Sequence, residues 1–130
     1  MKFSIITPAK PSELPQLLAL KRNLLHQIAT NFEWIISIDL DLNILDHKWQ
    51  ASFPIRAVRP ATPTIAGARN AAMSIAQGDW LVFLDSDDYL LPTSLAYLDG
   101  TQALSPSTMA DLNQYPTYEP HVSFANSMVQ

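Results

Sequence analysis

The chain has 130 residues, 48% of them hydrophobic and 15% charged, and a formal net charge of −4. That is enough chain for one domain with a real core, and too apolar a composition for a disordered one. Eight Lys and Arg residues without a run exclude a phosphate-backbone binder, and the absence of cysteine excludes disulfides, iron–sulfur clusters and thiolate zinc sites.

Phe3–Ile6 reads as a short strand that stops at Thr7-Pro8, because proline cannot donate to a ladder. Ser12 is placed as the N-cap of a first helix, with Pro15 in its opening turn. Leu14, Leu17, Leu18, Leu24, Leu25 and Ile28 recur at helical spacing, interrupted by Lys21, and carry that helix to an end at Asn31. Glu33–Ile38 is a second buried strand ending at Asp39, followed by Asp41 and Asp46 in a loop or short helical piece. Ile55–Val58, after Pro54, is a third strand. Ile65–Gln77, dense in alanine, is a second helix, with Gly78 in the position that commonly stops one. Trp80–Leu84 is too short for a helix and rich in β-formers, so it reads as a strand covered on both faces inside a parallel sheet. Pro92 opens a third helix through Leu104, with Leu91, Leu95 and Leu98 on one face. From Ser105 to Gln130 the chain is read as a loop with an edge strand at Val122–Ala125.

Strands alternating with helices imply an α/β fold: a mainly parallel open sheet with helices on both faces. Thr7-Pro8, Asp39 and Asp85-Ser86-Asp87-Asp88 then fall at the C-terminal strand ends, where ligands bind in such sheets. Asp85, Asp87 and Asp88 repel one another unless something positive sits among them. A hard divalent cation held by oxygen ligands and gripping a diphosphate accounts for the cluster. The alternative is that Asp87 or Asp88 caps a short helix running into Tyr89. Asp39 is placed to accept from a base N–H or a ribose hydroxyl, and Asp41 carries less weight. Arg69, near the start of the second helix with Asn70, either reaches a phosphate or forms a structural ion pair with one of the aspartates. His26, His47 and His121 show no ligand spacing, the three tryptophans are core anchors, and no glycine-rich phosphate loop occurs.

Phe3-Ser4-Ile5-Ile6-Thr7-Pro8, Phe32–Asp39, Ala68-Arg69-Asn70 and Ala76–Asp88 with Pro92, in that order, closely resemble the family 2 glycosyltransferases. The resemblance spans Met1 to Leu104 and implies a GT-A, Rossmann-like half-domain that binds an NDP-sugar, UDP-sugar above all, with Mn²⁺ or Mg²⁺. It implies that Asp39 holds the nucleoside, that Asp85 lies near the ribose, and that Asp87 is the metal ligand. Thr7 and Pro8 would line the base pocket, and Arg69 and Ser86 complete the nucleotide-sugar contacts. The acceptor would be a glycan or a lipid-linked molecule. With no cysteine, no signal-peptide segment and no bilayer-length apolar run, the expected location is the cytoplasm, or peripherally the inner membrane face.

The sequence departs from the family at Leu40-Asp41-Leu42-Asn43 and at Thr64, where other residues are usual. The expected layout is a nucleotide-sugar-binding domain over 1–104 and a loop with a possible edge strand over 105–130, with the acceptor half missing. No general base is identifiable. Two other readings stay open: a non-catalytic truncated module that acts through a partner or through a homo-oligomer covering the missing half, and a phosphohydrolase with Asp85 as nucleophile and Asp87 as acid.

Overall fold

A computed structural model describes residues 1–41 and 47–101 of the chain. Its strands are β1 (Phe3–Ala9), β2 (Phe32–Ile38), β3 (Ile55–Val58) and β4 (Trp80–Phe83). Its helices are α1 (Leu14–Leu24), α2 (Ile65–Ile75) and α3 (Ser94–Thr101). The strands form one four-stranded sheet in the order β3-β2-β1-β4. Every pairing is parallel: Phe3 faces Phe32 and Trp80, and Trp34 faces Ile55.

Alternation of side chains along each strand sends neighbours to opposite faces. On one face Phe3, Ile5, Trp34, Ile36 and Val82 pack with Leu17, Leu20 and Leu24 of α1 and Leu95 and Leu98 of α3. On the other, Ile6 and Ile35 pack against Ala72 of α2, with Val58, Leu81 and Phe83 around them. Alanine at the contact lets α2 lie close to the strands. Helices therefore cover both faces of an open parallel sheet, as the alternating pattern implies.

Several boundaries differ from the sequence reading, each for a physical reason. β1 does not stop at Thr7 but runs through Pro8 to Ala9, paired with β2 as far as Ile38. Even-numbered residues of β1 bond toward β4, since Lys2 O accepts from the Trp80 N–H and Ile6 O from the Leu84 N–H. Pro8 is the next in that series, and the ladder with β4 has ended at Ile6, so its missing N–H falls where no strand needs it. β4 lies at an edge of the sheet among the described residues, with Val82 fully buried and Trp80, Leu81 and Phe83 half-buried. The half-burial of Trp80, Leu81 and Phe83 differs from the full cover on both faces that the apolar run suggested. The strands buried on both sides are β1 and β2.

Ser12 is not an N-cap: it lies within a 3-10 turn, Pro11–Glu13, that precedes α1. α1 ends at Leu24, leaving Leu25 and Ile28 exposed. Polar bonds win over the apolar stripe there. The Asn23 amide donates to Leu90 O (2.9 Å) and its oxygen accepts from the Leu90 N–H (2.8 Å). The Gln27 amide donates to Leu91 O (2.7 Å), and the Ile28 N–H donates to Pro92 O (2.9 Å). These bonds tie the end of α1 to the segment that follows the aspartate cluster. α2 is capped by Thr64, whose hydroxyl accepts from the Gly67 N–H (2.9 Å), and it stops before Gly78. Gly78 does not have a positive φ. It is glycine because a Cβ there would lie 2.7 Å from Phe3 C and Ser4 N of β1. α3 starts at Ser94 rather than Pro92. Residues 102–104 of that helix, Asp46, and the loop and strand expected over 105–130 lie outside the described residues.

β2 carries a carboxylate that its apolar pattern hides. Glu33 is 0% exposed. It accepts from the Ser4 hydroxyl of β1 (2.6 Å) and the Gln77 N–H (2.7 Å), and from Arg56 of β3 at 3.0 Å (Nε) and 2.6 Å. Burial alone would raise its pKa, but these bonds and the guanidinium charge outweigh it and hold the carboxyl below the usual range. One side chain thus pins β1, β3 and the α2–β4 connection to β2, at the end of the sheet away from the cleft.

Candidate functional site

β1 is followed by β2 and β3 on one side, and the chain then returns to place β4 on the other. The strand order therefore reverses at β1, and a crevice opens beyond the carboxyl ends of β1 and β4. A cleft of about 560 Å³ occupies that place. Its walls are Pro8 near the end of β1, Lys10 and Glu13 after it, Asp39 after β2, Pro60 and Thr62–Thr64 after β3, Arg69 of α2, and Asp85, Ser86 and Asp87 after β4. The backbone does the gathering: these residues come from five separate segments, and only the parallel stacking of their strands brings them to one edge.

The turn after β4 alternates. Asp85 and Asp87 are exposed, while Ser86 and Asp88 are each 5% exposed. Asp88 closes the turn on itself: its Oδ2 accepts from the Asp85 N–H (2.9 Å), and its own N–H donates to Asp85 O (3.0 Å). No helix starts at Tyr89, so Asp88 is not the helix cap of the alternative reading; it serves the backbone of its own turn. Ser86 is anchored elsewhere, donating its hydroxyl to Glu13 Oε2. Glu13 Oε1 accepts from the Lys10 N–H (2.7 Å). The Ser86 bond first, then the Lys10 N–H, hold the Glu13 carboxyl below its usual range against a smaller effect of burial. Asp85, Asp87 and Asp88 each offer an oxygen within 4.8 Å of the others. An all-oxygen donor set of this kind suits a hard divalent cation.

Arg69 faces the cluster. Its guanidinium nitrogen is 3.7 Å from Asp85 Oδ1, and its carbon lies 5.4 Å from the centroid of the Phe83 ring. The ion pair allowed for in the sequence is therefore present, with Asp85 as the partner. Arg69 Nε is buried and makes no hydrogen bond. On the opposite wall Asp39, its side chain 67% exposed, accepts from Arg59 Nε (2.8 Å).

The cleft brings together Pro8, Asp39, Arg69, Asp85, Ser86 and Asp87. Thr7 does not join them. It is buried, and its hydroxyl accepts from Trp34 Nε1 (2.8 Å) in the core. Strand alternation that turns Pro8 to the cleft turns Thr7 away. Ser86 reaches the cleft wall with its hydroxyl already committed to Glu13. Asp41 and Asn70 are not among the lining residues. Lys10, Glu13 and Arg59 escaped the sequence reading, since nothing in their local spacing sets them apart. Glu33 could have been flagged, because a carboxylate inside an apolar strand needs a buried counter-charge.

Residues 4–99 match the family model for Glycosyl transferase family 2. An uncharacterized glycosyltransferase of Haemophilus influenzae is 37% identical over 93 residues, which cover 69% of this chain and 31% of that protein. The crystal structure of S. aureus TarS 1-349 superposes with a TM-score of 0.64 at 28% identity, over 78% of this chain and 33% of that one. The same protein in complex with UDP-GlcNAc gives a TM-score of 0.62 at 25% identity, over 78% and 32%. The chain thus spans about a third of the length of these relatives. Among the described residues, no helix is long and apolar enough to cross a membrane.

Proposed function

Because this chain belongs to glycosyltransferase family 2, we propose that its cleft binds a nucleotide-sugar donor, UDP-sugar above all, for transfer of a hexose to a glycan or lipid-linked acceptor. The observation that carries this reading is the meeting of Asp39, Arg69, Asp85 and Asp87 around one cleft at the strand-order reversal. One relative, S. aureus TarS 1-349, has been solved in complex with UDP and with UDP-GlcNAc, which favours uridine as the base. We assign donor binding to residues 1–104.

Each wall has a task that follows from its chemistry. Asp39 accepts from the base N–H or a ribose hydroxyl, with Pro8 forming apolar wall beside the base. Asp85 accepts from the ribose, and Arg69 supplies positive charge near the phosphates. The acidic turn fits a divalent cation: its donors are all oxygen, and Asp85 and Asp87 are the exposed pair. Asp87 is the residue that would hold Mn²⁺ or Mg²⁺, with Asp85 beside it. When bound there, such a cation supplies Lewis-acid neutralisation of the diphosphate.

Calorimetry with UDP, with and without Mn²⁺, tests the reading. Binding that tightens with Mn²⁺ and loses that gain in Asp87→Asn supports it. Absence of metal-dependent binding to UDP, GDP and ADP alike refutes it.

A further inference from the structure

We infer that Glu13 is a positioning residue of the donor site, which sets the acidic turn through Ser86 and couples it to the loop that follows β1. The inference rests on the donor-site reading above and adds to it a residue that acts through Ser86. Asp85 and Asp87 are exposed, while Ser86 between them and Asp88 after them are held inward. Asp88 holds one end of the turn by bonding back to the Asp85 N–H (2.9 Å). The other hold is the bond from the Ser86 hydroxyl to Glu13, across 73 positions of sequence. Ser86 is 5% exposed, so water cannot readily replace that acceptor. Glu13 is itself fixed, because its second oxygen accepts from the Lys10 N–H (2.7 Å) in a turn closed by the Glu13 N–H to Lys10 O bond (2.9 Å). Pro11 stiffens that turn. Pro8, Lys10 and Glu13 line the same cleft as Asp85 and Asp87, so this bond fixes the distance between the wall assigned to the base and the wall assigned to the diphosphate.

Charge and position make opposite forecasts for Glu13→Gln. A glutamine keeps both contacts: its Oε1 accepts from the Lys10 N–H, and its Nε2–H donates to the Ser86 oxygen, because a hydroxyl works in either direction. It loses only the negative charge. If Glu13 acts by position, Glu13→Gln retains the metal-dependent gain in UDP affinity to within about threefold, while Glu13→Ala loses about tenfold of it, as expected for a lost hydrogen bond to a charged group. Ser86→Ala removes the same bond from the other side and loses a similar factor, and the double variant Glu13→Ala/Ser86→Ala loses no more than either single change.

The measurement is the ratio of UDP affinities with Mn²⁺ and with EDTA, by calorimetry on the full chain. A merely structural role lowers both affinities by the same factor and leaves the ratio unmoved, which overturns the inference. Equal losses in Glu13→Gln and Glu13→Ala overturn it in favour of a field effect. Should Glu13→Ala fail to fold, Ser86→Ala and Glu13→Gln decide by the same ratio. A wild-type chain without Mn²⁺-dependent binding overturns the donor-site reading and this inference together. A wild type that binds, with Ser86→Ala unchanged, overturns this one alone.

Discussion

Replacing Glu33 by glutamine isolates the buried charge near the start of β2 with almost no change of shape. Four donors converge on the carboxylate: the Ser4 hydroxyl, the Gln77 N–H, and Nε and a terminal nitrogen of Arg56. An amide offers one acceptor oxygen and turns an NH₂ toward the rest, so about two of the four bonds are lost. Bonds to a charged group contribute about 1.5–3 kcal/mol each. The Arg56 side chain is 34% exposed, so water takes up part of its loss, and the ion pair is discounted accordingly. The Ser4 hydroxyl can also rotate. The expected destabilisation is about 2–4 kcal/mol, or roughly 10–25 °C in Tm for a domain of this size. The sign of the pH dependence follows from the lowered pKa. Glu33 contributes stability that is complete above the ordinary value of 4.5 and is lost as pH falls through the lower folded value. Urea unfolding followed by circular dichroism, at pH 7 and in steps below pH 4.5, reads both effects. The gap between wild type and Glu33→Gln should be widest at neutral pH and should close in acid. A gap under about 1 kcal/mol at pH 7, or one that widens in acid, refutes the view that this network ties the sheet together.

Gly78→Ala drives a Cβ to 2.7 Å from backbone atoms of Phe3 and Ser4 and should cost about 1–3 kcal/mol, whereas Gly100→Ala, with nothing within 4 Å, should be neutral or stabilising; thermal melts of the pair test this. Asn23→Ala removes both bonds to the Leu90 backbone and should cost about 1–3 kcal/mol, with hydrogen exchange at Leu90 accelerated at least about tenfold. Arg69→Lys keeps the charge but gives up the planar guanidinium over Phe83. Its pairing with Asp85 is half in solvent, so stability should move by less than about 1 kcal/mol, while UDP affinity with Mn²⁺ falls about tenfold by calorimetry. An equal fall in stability and affinity would show Arg69 to be a structural ion pair alone.

Much of the fold was legible in the residue pattern, because burial on both faces leaves an unbroken apolar run and a helix on a sheet leaves a periodic stripe. Ile55–Val58 was read to the residue, and Phe32–Ile38 within one. The misplacements share a cause. Local pattern could not say which neighbour each backbone N–H would face, so Pro8 was read as a strand end when it sits beside the point where β4 has already left the ladder. An apolar run does not give strand order, so the place of Trp80–Phe83 beside β1 came only from the pairing. Side-chain bonds to the backbone, as at Asn23 and Gln27, end a helix that its leucines alone would continue.

By itself the sequence determined the elements, their parallel arrangement, and the aspartates that would stand at the carboxyl edge, because hydrophobic periodicity and turn chemistry act over a few neighbouring residues. Only the tertiary structure decided which side chains meet across the chain: Glu13 with Ser86, Arg59 with Asp39, Arg69 with Asp85, and Glu33 with Ser4 and Arg56. The reason is physical. A hydrogen bond or an ion pair depends on separation in space, and strand order sets that separation with no trace in local spacing.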